Sequence, residues 1–383
     1  MGRRLSACPP IVASRVPAVW PVIGCALLAS SVGCSRCEPP VSRVAETEPV
    51  FEEADTRALA ESSAPPSAPD ALAQDAASAA PTPLSDVREC LEGGVFDPKE
   101  DASLLEVMRT AEVERITRGS GGATLGFKVT LAGGKRAYFK PDQAPERGHV
   151  YGEIAAFHLD RLLGLCRTSP VTGRRLPFAL LRGAAPEHPQ LKLLRVEAGG
   201  LVRGALIAWI EGELRPLGVT PEWLACLRTN TAPARSPFKG FDVRPNTPCS
   251  PPPGDLLRAL HDLIVFDYLI ANVDRWSPAR TNLLALSDAG LLLLFDHGEA
   301  FWQTHFVVRN EQQLDFVGAP RPAFAARLSE LDLERVGARL ADDPLAPVLD
   351  AHLMEGLRLR LEALRARGAT PTADKGNEYS PSI

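Results

Sequence analysis

The sequence lacks a cluster of basic residues. Its 383 residues include 42 lysines and arginines against 47 aspartates and glutamates, which gives a net charge of -5. Proteins that bind nucleic acid concentrate Lys and Arg on one surface, where these side chains meet backbone phosphates. We therefore exclude nucleic acid as the main partner. The hydrophobic content of 45% is sufficient for a sizeable core, so the chain is expected to fold.

The N-terminus lacks a convincing membrane span. Its uncharged stretch, residues 16–35, contains helix-breaking prolines and glycines and follows a start that carries arginines. Small residues directly before Cys34 resemble a bacterial lipoprotein cleavage site. We predict that residues 1–34 are an export signal and that cleavage leaves a lipid anchor on Cys34, the only link to a membrane. The predicted location is the cell envelope, at the outer membrane or in the periplasm. Plain secretion and a retained membrane anchor are the alternatives.

The last four cysteines lack the close pairs of a metal site. Cleavage of the signal and lipidation of Cys34 would leave an odd number, so at least one thiol is expected to be unpaired among Cys37, Cys90, Cys166, Cys226 and Cys249. Cys226 and Cys249 flank a polar, proline-rich insertion. Because an exported protein folds in an oxidising compartment, we predict a disulfide between these two that stabilises the fold by about 3 kcal/mol. Two separately buried thiols are the alternative.

Residues 35–88 lack a sustained apolar period. They are rich in Ala, Pro and Ser, a composition typical of a disordered tether that holds a folded domain away from a membrane surface. The folded domain is predicted over residues 89–370, and a flexible tail over residues 371–383. Strand patterns dominate this domain to about residue 215 and helical patterns follow from about residue 216, which predicts an α+β fold of two lobes.

Periodicity assigns the elements of the two lobes. A turn at Gly133-Gly134 indicates a hairpin in the first lobe, and a single helix is expected there. The predicted strands are residues 123–131, 136–140, 191–197, 201–211, 282–286 and 291–295. The predicted helices are residues 152–165, 255–271, 323–340 and 345–367.

Three polar residues surround the last predicted hairpin. Asn282 opens its first strand, Asp296 follows its second strand, and Asp274 lies in the preceding loop, after a nearly all-apolar helix. Because a hairpin brings its two ends together, Asn282 and Asp296 are predicted to lie close to one another. A carboxylate beside an amide oxygen is a site for Mg²⁺ or Mn²⁺. The alternative is that all three are unrelated turn or capping residues.

An upstream lysine and glutamate supply groups that bind phosphate. Lys140 ends a strand and can contact the phosphates of a nucleotide, and Glu153 in the next helix can orient it through an ion pair. The loop before the first hairpin contains Gly119, Gly121 and Gly122, whose backbone can approach phosphates closely. An ordinary loop is the alternative for these glycines.

Together these residues resemble a known family. The motifs Phe139-Lys140-Pro141, Glu153, the run of residues 266–275 and Asp296-His297-Gly298 are similar to those of the secretory-pathway kinases that include Four-jointed and the Golgi casein kinase. The resemblance spans roughly residues 115–305 and is most specific in the third of these motifs. It implies an atypical protein-kinase-like fold that binds ATP, or another nucleotide triphosphate, and a divalent metal between its lobes.

The resemblance also implies roles for individual residues. Lys140 matches the phosphate-binding lysine, Glu153 its partner, Asp274 the catalytic aspartate and Asp296 the metal ligand. The implied activity is transfer of a terminal phosphate to a Ser or Thr hydroxyl of a protein or to a sugar hydroxyl of a glycan. The sequence therefore predicts an exported, metal-dependent kinase. A kinase-fold pseudoenzyme or binding module is the alternative, as is another nucleotidyl transferase chemistry on the same fold.

The chain departs from the kinase pattern at two positions. Asn282, the second predicted metal ligand, lies eight residues after Asp274, against about five in ordinary kinases. His297 replaces the residue usual after the metal-binding aspartate. For Arg275, beside Asp274, a structural ion pair is favoured over a contact with phosphate.

Overall fold

The computed structural model describes six stretches of the chain, residues 88–120, 124–144, 150–276, 282–286, 290–301 and 305–369. All six lie within one compact unit. The predicted export signal with Cys34, the tether up to residue 87, Gly121, Gly122 and the tail lie outside the described residues and stay predictions.

An antiparallel sheet forms most of the first lobe. Its strands are β1 (Val113–Arg118), β2 (Phe127–Leu131), β3 (Arg136–Pro141), β4 (Val171–Pro177), β5 (Val196–Glu197) and β6 (Leu201–Ala208). They run in the order β1, β2, β3, β6, β4, and the short β5 also pairs with β6. The predicted hairpin is confirmed as β2 and β3, which pair in register. Its turn passes through Gly133, whose φ of 79° favours glycine.

Three helices pack on this sheet, at α1 (Asp101–Thr110), α2 (Val150–Leu163) and α3 (Phe178–Ala184). Met108 of α1 and Leu181 of α3 share one core with Phe127 of β2. Helix α2 belongs to a larger core that it shares with the second lobe. Because 12 of its 14 residues are buried, α2 has almost no exposed face. Its residue Glu153 therefore lies where the two lobes meet.

The second lobe is mainly helical. Its helices are α4 (Pro221–Cys226), α5 (Leu256–Leu269), α6 (Val308–Val317), α7 (Pro322–Ser329), α8 (Leu333–Ala341) and α9 (Ala351–Ala369). A small antiparallel sheet joins β7 (Leu214–Pro216), β8 (Leu283–Leu286) and β9 (Leu291–Leu294) in that order. The predicted central helix is confirmed as α5, of which 12 of 14 residues are buried. None of the helices in the described residues is long and apolar enough to cross a membrane.

Two disulfides close loops of the domain. Cys226 and Cys249 are bonded, with their Cα atoms 4.6 Å apart, as predicted. Cys90 and Cys166 form a second bond that the sequence spacing did not indicate, with Cα atoms 5.7 Å apart. All four cysteines among the described residues are therefore paired.

Several predicted elements were wrong. The helix expected at residues 323–340 is two helices, α7 and α8, because the side chain of Asp332 caps a new helix by accepting a hydrogen bond from Glu334 N (3.0 Å). The strand expected at residues 191–197 is a 3-10 turn, Pro189–Leu193, followed by the two residues of β5. The last helix begins only at Ala351, after a cis proline bond at Pro347. The first lobe contains three helices rather than one.

Candidate active site

Lys140 lies at the junction of the two lobes. It stands near the end of β3, where its Nζ lies 2.5 Å from Glu153 Oε1 on α2 and 2.6 Å from Asp296 Oδ1. Asp296 follows β9 in the second lobe, 156 residues further along the chain. One ammonium group therefore joins the sheet, α2 and the second lobe. Three residues that the sequence singled out are brought together at this point.

Both charges of the interlobe pair are stabilised by their surroundings. Burial disfavours the charged form of Lys140, but the carboxylates of Glu153 and Asp296 outweigh burial and hold the pKa of Lys140 above its usual value. Burial likewise acts to raise the pKa of Asp296, yet the Lys140 ammonium keeps that pKa below its usual value. Lys140 and Asp296 are therefore both charged at neutral pH.

The segment after β9 touches α2 through its backbone. His297 N donates a hydrogen bond to Glu153 Oε1 (3.1 Å), and a Cβ atom added at Gly152 would overlap the carbonyl oxygen of His297. Asp296 has a positive φ of 57°, a left-handed conformation that aspartate adopts more readily than most residues. Because Gly152 has no side chain and the backbone bends at Asp296, the Asp296 carboxylate can lie against Lys140.

His297, which departs from the kinase pattern, is buried and contacts the residues that hold the site in place. Burial lowers its pKa well below the usual value, and the nearby Arg275 charge acts in the same direction. Its Nδ1 lies 3.3 Å from Arg275 Nη2 and its Nε2 lies 3.2 Å from Leu294 O. Because a guanidinium nitrogen only donates, Nδ1 accepts and Nε2 carries the hydrogen. His297 is a neutral link between Arg275 and β9.

Arg275 ties the hairpin to α5. Its buried guanidinium pairs with Asp267 of α5, with Nε 3.2 Å from Oδ2, and donates hydrogen bonds to the carbonyl oxygens of Asn282 (3.1 Å) and Phe295. Burial raises the pKa of Asp267 to about 6, although the Arg275 charge opposes this rise. The favoured interpretation of Arg275 as a structural ion pair is confirmed. Its contacts hold both ends of the hairpin in place.

The hairpin brings Asn282 to Asp274. Leu283 of β8 is opposite Leu294 of β9, so Asn282 enters the hairpin at the end where Asp296 leaves it. Asn282 Nδ2 lies 3.2 Å from Asp274 Oδ2 and 3.4 Å from Asp274 O. Asn282 is buried, whereas Asp274 is exposed. The carboxylate of Asp274 is therefore accessible from solvent beside the metal-ligand candidates.

Gly119 lies in the loop between β1 and β2. Its backbone N donates a hydrogen bond to Gly126 O (2.8 Å), which closes this loop. A Cβ atom at Gly119 would lie 2.7 Å from the hydroxyl of Tyr138, and one at Gly126 would overlap the same hydroxyl. Tyr138 and Lys140 are two residues apart on β3 and so point to the same face of the sheet. Gly119 and Gly126 therefore pack on the strand face that presents the lysine.

Two supporting residues escaped the sequence analysis. Tyr138 is one of them, and its two-residue spacing from Lys140 could have indicated it. The other is Asn310 of α6, whose Nδ2 donates hydrogen bonds to Asp267 O (3.2 Å) and Asn272 O (2.9 Å). A single asparagine in a helix gives no local signal of such a long-range contact.

The oxygen donors at the junction fit a hard divalent cation. They are the carboxylate of Asp296 and the side-chain amide of Asn282, the ligand types that Mg²⁺ and Mn²⁺ prefer. Within the described stretches, no group of three or more His, Cys, Asp or Glu side chains is arranged to hold a metal by itself. A cation here would take its remaining ligands from phosphates and water, as Mg²⁺ does in known phosphate-transfer sites.

Comparisons with known proteins found similar sequences. Residues 96–180 match the family described as Golgi casein kinase, C-terminal, Fam20. The chain is 29% identical over 275 residues to Four-jointed box protein 1 of Homo sapiens, which covers 62% of this chain and 56% of that protein. It is 40% identical over 86 residues to the glycosaminoglycan xylosylkinase of Danio rerio, which covers 20% of this chain and 21% of that protein. The chain thus spans about half the length of the Four-jointed proteins that it matches.

A solved structure shares the architecture. The crystal structure of the Golgi casein kinase with Mn/ADP bound matches with a TM-score of 0.52 at 19% sequence identity, over 71% of this chain and 76% of that chain. The predicted two-lobed, kinase-like α+β fold is confirmed. Within this class of fold, the chain is similar to the Fam20 Golgi casein kinase family over residues 96–180 and to Four-jointed box protein 1, as its motifs indicated.

Proposed function

We propose that this protein is an exported, metal-dependent kinase that transfers the terminal phosphate of ATP, or of another nucleotide triphosphate, to a hydroxyl group. The contact of Lys140 Nζ with both Glu153 and Asp296 carries this proposal. Phosphoryl transfer depends on positioning and on electrostatic stabilisation, so it needs a phosphate-binding cation and a metal ligand at one point. A protein of this fold that does not react with nucleotides has no need to keep both the phosphate-binding lysine and the metal ligand.

The donor side of the site is formed mainly by the first lobe. Lys140 contacts the phosphates, and Glu153 keeps the ammonium group in place through its ion pair. The backbone of Gly119, Gly121 and Gly122 approaches the same phosphates from the loop before β2. These groups bind and orient the donor but do not take part in proton transfer.

The metal side is formed by the second lobe. Asp296 and Asn282 provide oxygen ligands at the two ends of the β8–β9 hairpin. A nucleotide bound with Mg²⁺ or Mn²⁺ supplies the transferable phosphate together with the positive charge that offsets negative charge in the transition state. Arg275 keeps both strand ends at a fixed distance through its contacts with Asn282 O and Phe295 O.

Asp274 acts on the acceptor. Its exposed carboxylate orients the attacking hydroxyl and accepts its proton, while the hydrogen bond from Asn282 Nδ2 fixes one carboxylate oxygen. The acceptor is a Ser or Thr hydroxyl of a protein or a sugar hydroxyl of a glycan. The names of the relatives support both classes, since one is a casein kinase and another a xylosylkinase. Export and a lipid anchor on Cys34 would place this activity in the cell envelope.

A transfer assay tests the proposal. The purified protein is incubated with ATP and Mn²⁺ or Mg²⁺, and phosphate is sought by mass spectrometry on the protein itself, on unphosphorylated casein and on xylosides. Asp274→Asn should keep nucleotide affinity and melting temperature but lose about 10² to 10⁴-fold in rate. If the wild type neither transfers phosphate nor hydrolyses ATP faster than this variant, the protein is a pseudoenzyme or a binding module instead.

A further inference from the structure

The insertion, residues 227–248 between Cys226 and Cys249, contains neither helix nor strand. It nevertheless buries large apolar side chains. Phe238 is 2% exposed, Phe241 is 5% exposed and Val243 is 1% exposed. A surface loop without a role in packing would leave such side chains in solvent or lack them altogether. These side chains of the insertion therefore pack against another part of the domain, and that contact indicates what the insertion does.

That partner is Trp276, the second residue after Asp274. The ring of Phe238 lies 4.6 Å from the ring of Trp276, and Phe241 lies 5.8 Å from it on centroid distances. Both pairs have the tilted or edge-on geometry that aromatic side chains favour. Trp276 is only 3% exposed. The insertion thus covers Trp276, which lies close after Asp274 in the chain.

Helix α6 holds the other end of the same loop. Asn310 of α6 donates a hydrogen bond to Asn272 O at 2.9 Å. The insertion is also fixed to α6, because Thr229 N donates to Phe316 O at 2.9 Å and Phe238 packs edge-on against Phe316 at 5.2 Å. The insertion, α6 and the loop of residues 272–276 form one packed unit.

Asp274 depends on these flanking contacts for its position. Its backbone N donates to Asn272 Oδ1 (3.2 Å) and its carboxylate accepts from Asn282, but the residue is exposed. Anchors on both sides of an exposed catalytic group are an effective way to fix it, and displacement by about 1 Å can cost about 100-fold in rate.

We propose that the insertion, closed by the Cys226–Cys249 bond, is a positioning element that sets the place of Asp274 through Trp276. This inference rests on the proposed function for its effect on rate, but the mechanical coupling does not. Opening the disulfide frees one end of the segment that carries Phe238 and Phe241, so the packing on Trp276 loosens. The nucleotide contacts at Lys140 and Asp296 lie on other elements and should stay as they are.

The test compares two variants that each remove one disulfide. Cys226→Ser/Cys249→Ser opens the insertion, and Cys90→Ser/Cys166→Ser is the matched control. Phe238→Leu, with both disulfides intact, keeps the measurement decisive if the first variant does not fold. Two quantities are measured below the melting temperature of each protein. One is the transfer rate as kcat and KM for ATP, and the other is amide hydrogen exchange of residues 270–276.

The first variant and Phe238→Leu should lose about 10-fold or more in kcat with the KM for ATP changed less than about 2-fold. Exchange at residues 270–276 should be faster in both, and unchanged in the control. Unchanged exchange in both insertion variants overturns the inference. When the wild type is active, a kcat in these variants equal to that of the wild type overturns it as well. Faster exchange together with an inactive wild type supports the coupling while overturning the proposed function.

Discussion

At the scale of single residues, the site depends on charges that compensate one another. Lys140 is stabilised by two carboxylates, and Asp296 is one of them. Glu153 serves twice, since its Oε1 accepts hydrogen bonds from both Lys140 Nζ and His297 N. Removing either carboxylate leaves the lysine with only one partner, but the two losses differ in function. In the proposed function Glu153 orients the lysine, whereas Asp296 also binds the metal.

Asp296→Ala should therefore abolish metal-dependent nucleotide binding. A ligand that binds the native state raises its melting temperature, by an amount that grows with concentration over Kd. With ATP and Mn²⁺, the wild type should show this rise and Asp296→Ala should not, while both still unfold cooperatively. Asp342→Ala, which removes an exposed carboxylate after α8, is the control and should behave as the wild type. An equal rise in Asp296→Ala contradicts the assignment.

The buried His158 of α2 should make the free energy of unfolding depend on pH. Burial lowers its pKa from 6.5 to about 3, and nearby arginines add to this effect. The folded state keeps the imidazole neutral down to about pH 3, whereas the unfolded state binds a proton near pH 6.5. The folded protein therefore loses stability as the pH falls from 6.5 toward 3, and this loss is absent above pH 6.5. Between pH 7 and pH 5 this group should cost about 2 kcal/mol of unfolding free energy.

Replacing His158 by leucine tests this dependence. His158→Leu should flatten the acid side of the stability profile by about 2 kcal/mol between pH 7 and pH 5, as measured by urea unfolding at both values. A parallel decline of His158→Leu and the wild type would show that His158 is not held neutral.

Some residues of the candidate site could be predicted from the sequence around them, whereas the residues that support them could not. Lys140, Glu153, Asp274, Asn282 and Asp296 could be proposed from the sequence because each lies in or close to the end of a recognisable strand or helix. Hairpin geometry alone then placed Asn282 near Asp296. The supports of these residues come from distant parts of the chain, as when α6 contributes Asn310. No periodicity reports a contact between side chains so far apart in sequence.

At the scale of elements, the approach of α2 to the segment after β9 controls the site. Gly152 has no side chain, and a Cβ atom there would overlap His297 O. This close approach lets His297 N reach Glu153 Oε1. Glycine costs helix stability in general, so its presence in α2 is explained by this contact.

Gly152→Ala should push α2 away from this segment. We expect a loss of about 1 to 3 kcal/mol in unfolding free energy, typical of overpacking, and a smaller nucleotide-induced rise in melting temperature. Gly337→Ala is the matched control, because Gly337 also lies in a helix but has no atom near an added Cβ. It should stabilise α8 by about 0.5 to 1 kcal/mol. A stabilised Gly152→Ala would refute the role of the close approach.

Elements with a strong period were predictable, and short or capped ones were not. The alternation of β2 and the apolar length of α5 are intrinsic to their sequences. In contrast, α7 and α8 form a continuous apolar pattern that Asp332 interrupts, and α3 follows β4 without a loop. The start of α8 depends on the single cap from Asp332, a contact that a periodic pattern does not report.

At the scale of the whole molecule, the segment of residues 88–96 connects the two lobes. Its backbone donates hydrogen bonds to the end of α2, from Leu91 N to Gly164 O (2.6 Å) and from Val95 N to Cys166 O (2.7 Å). Toward the second lobe, Glu89 O accepts from Arg327 of α7 at 3.1 Å. The Cys90–Cys166 bond fixes this segment to the first lobe. It lies at the boundary where the predicted tether gives way to the folded domain.

The Cys90–Cys166 bond should contribute more to stability than the Cys226–Cys249 bond does. It spans 76 residues rather than 23, and a longer loop loses more entropy in the unfolded chain when it is closed, which gives about 4 kcal/mol against about 3 kcal/mol. Cys90→Ser/Cys166→Ser should therefore show the larger fall in melting temperature, while kcat measured below that temperature stays near the wild-type value. Calorimetry of the two double variants decides between them. If the Cys226→Ser/Cys249→Ser protein melts lower, packing of the insertion on Trp276 outweighs loop entropy in this fold.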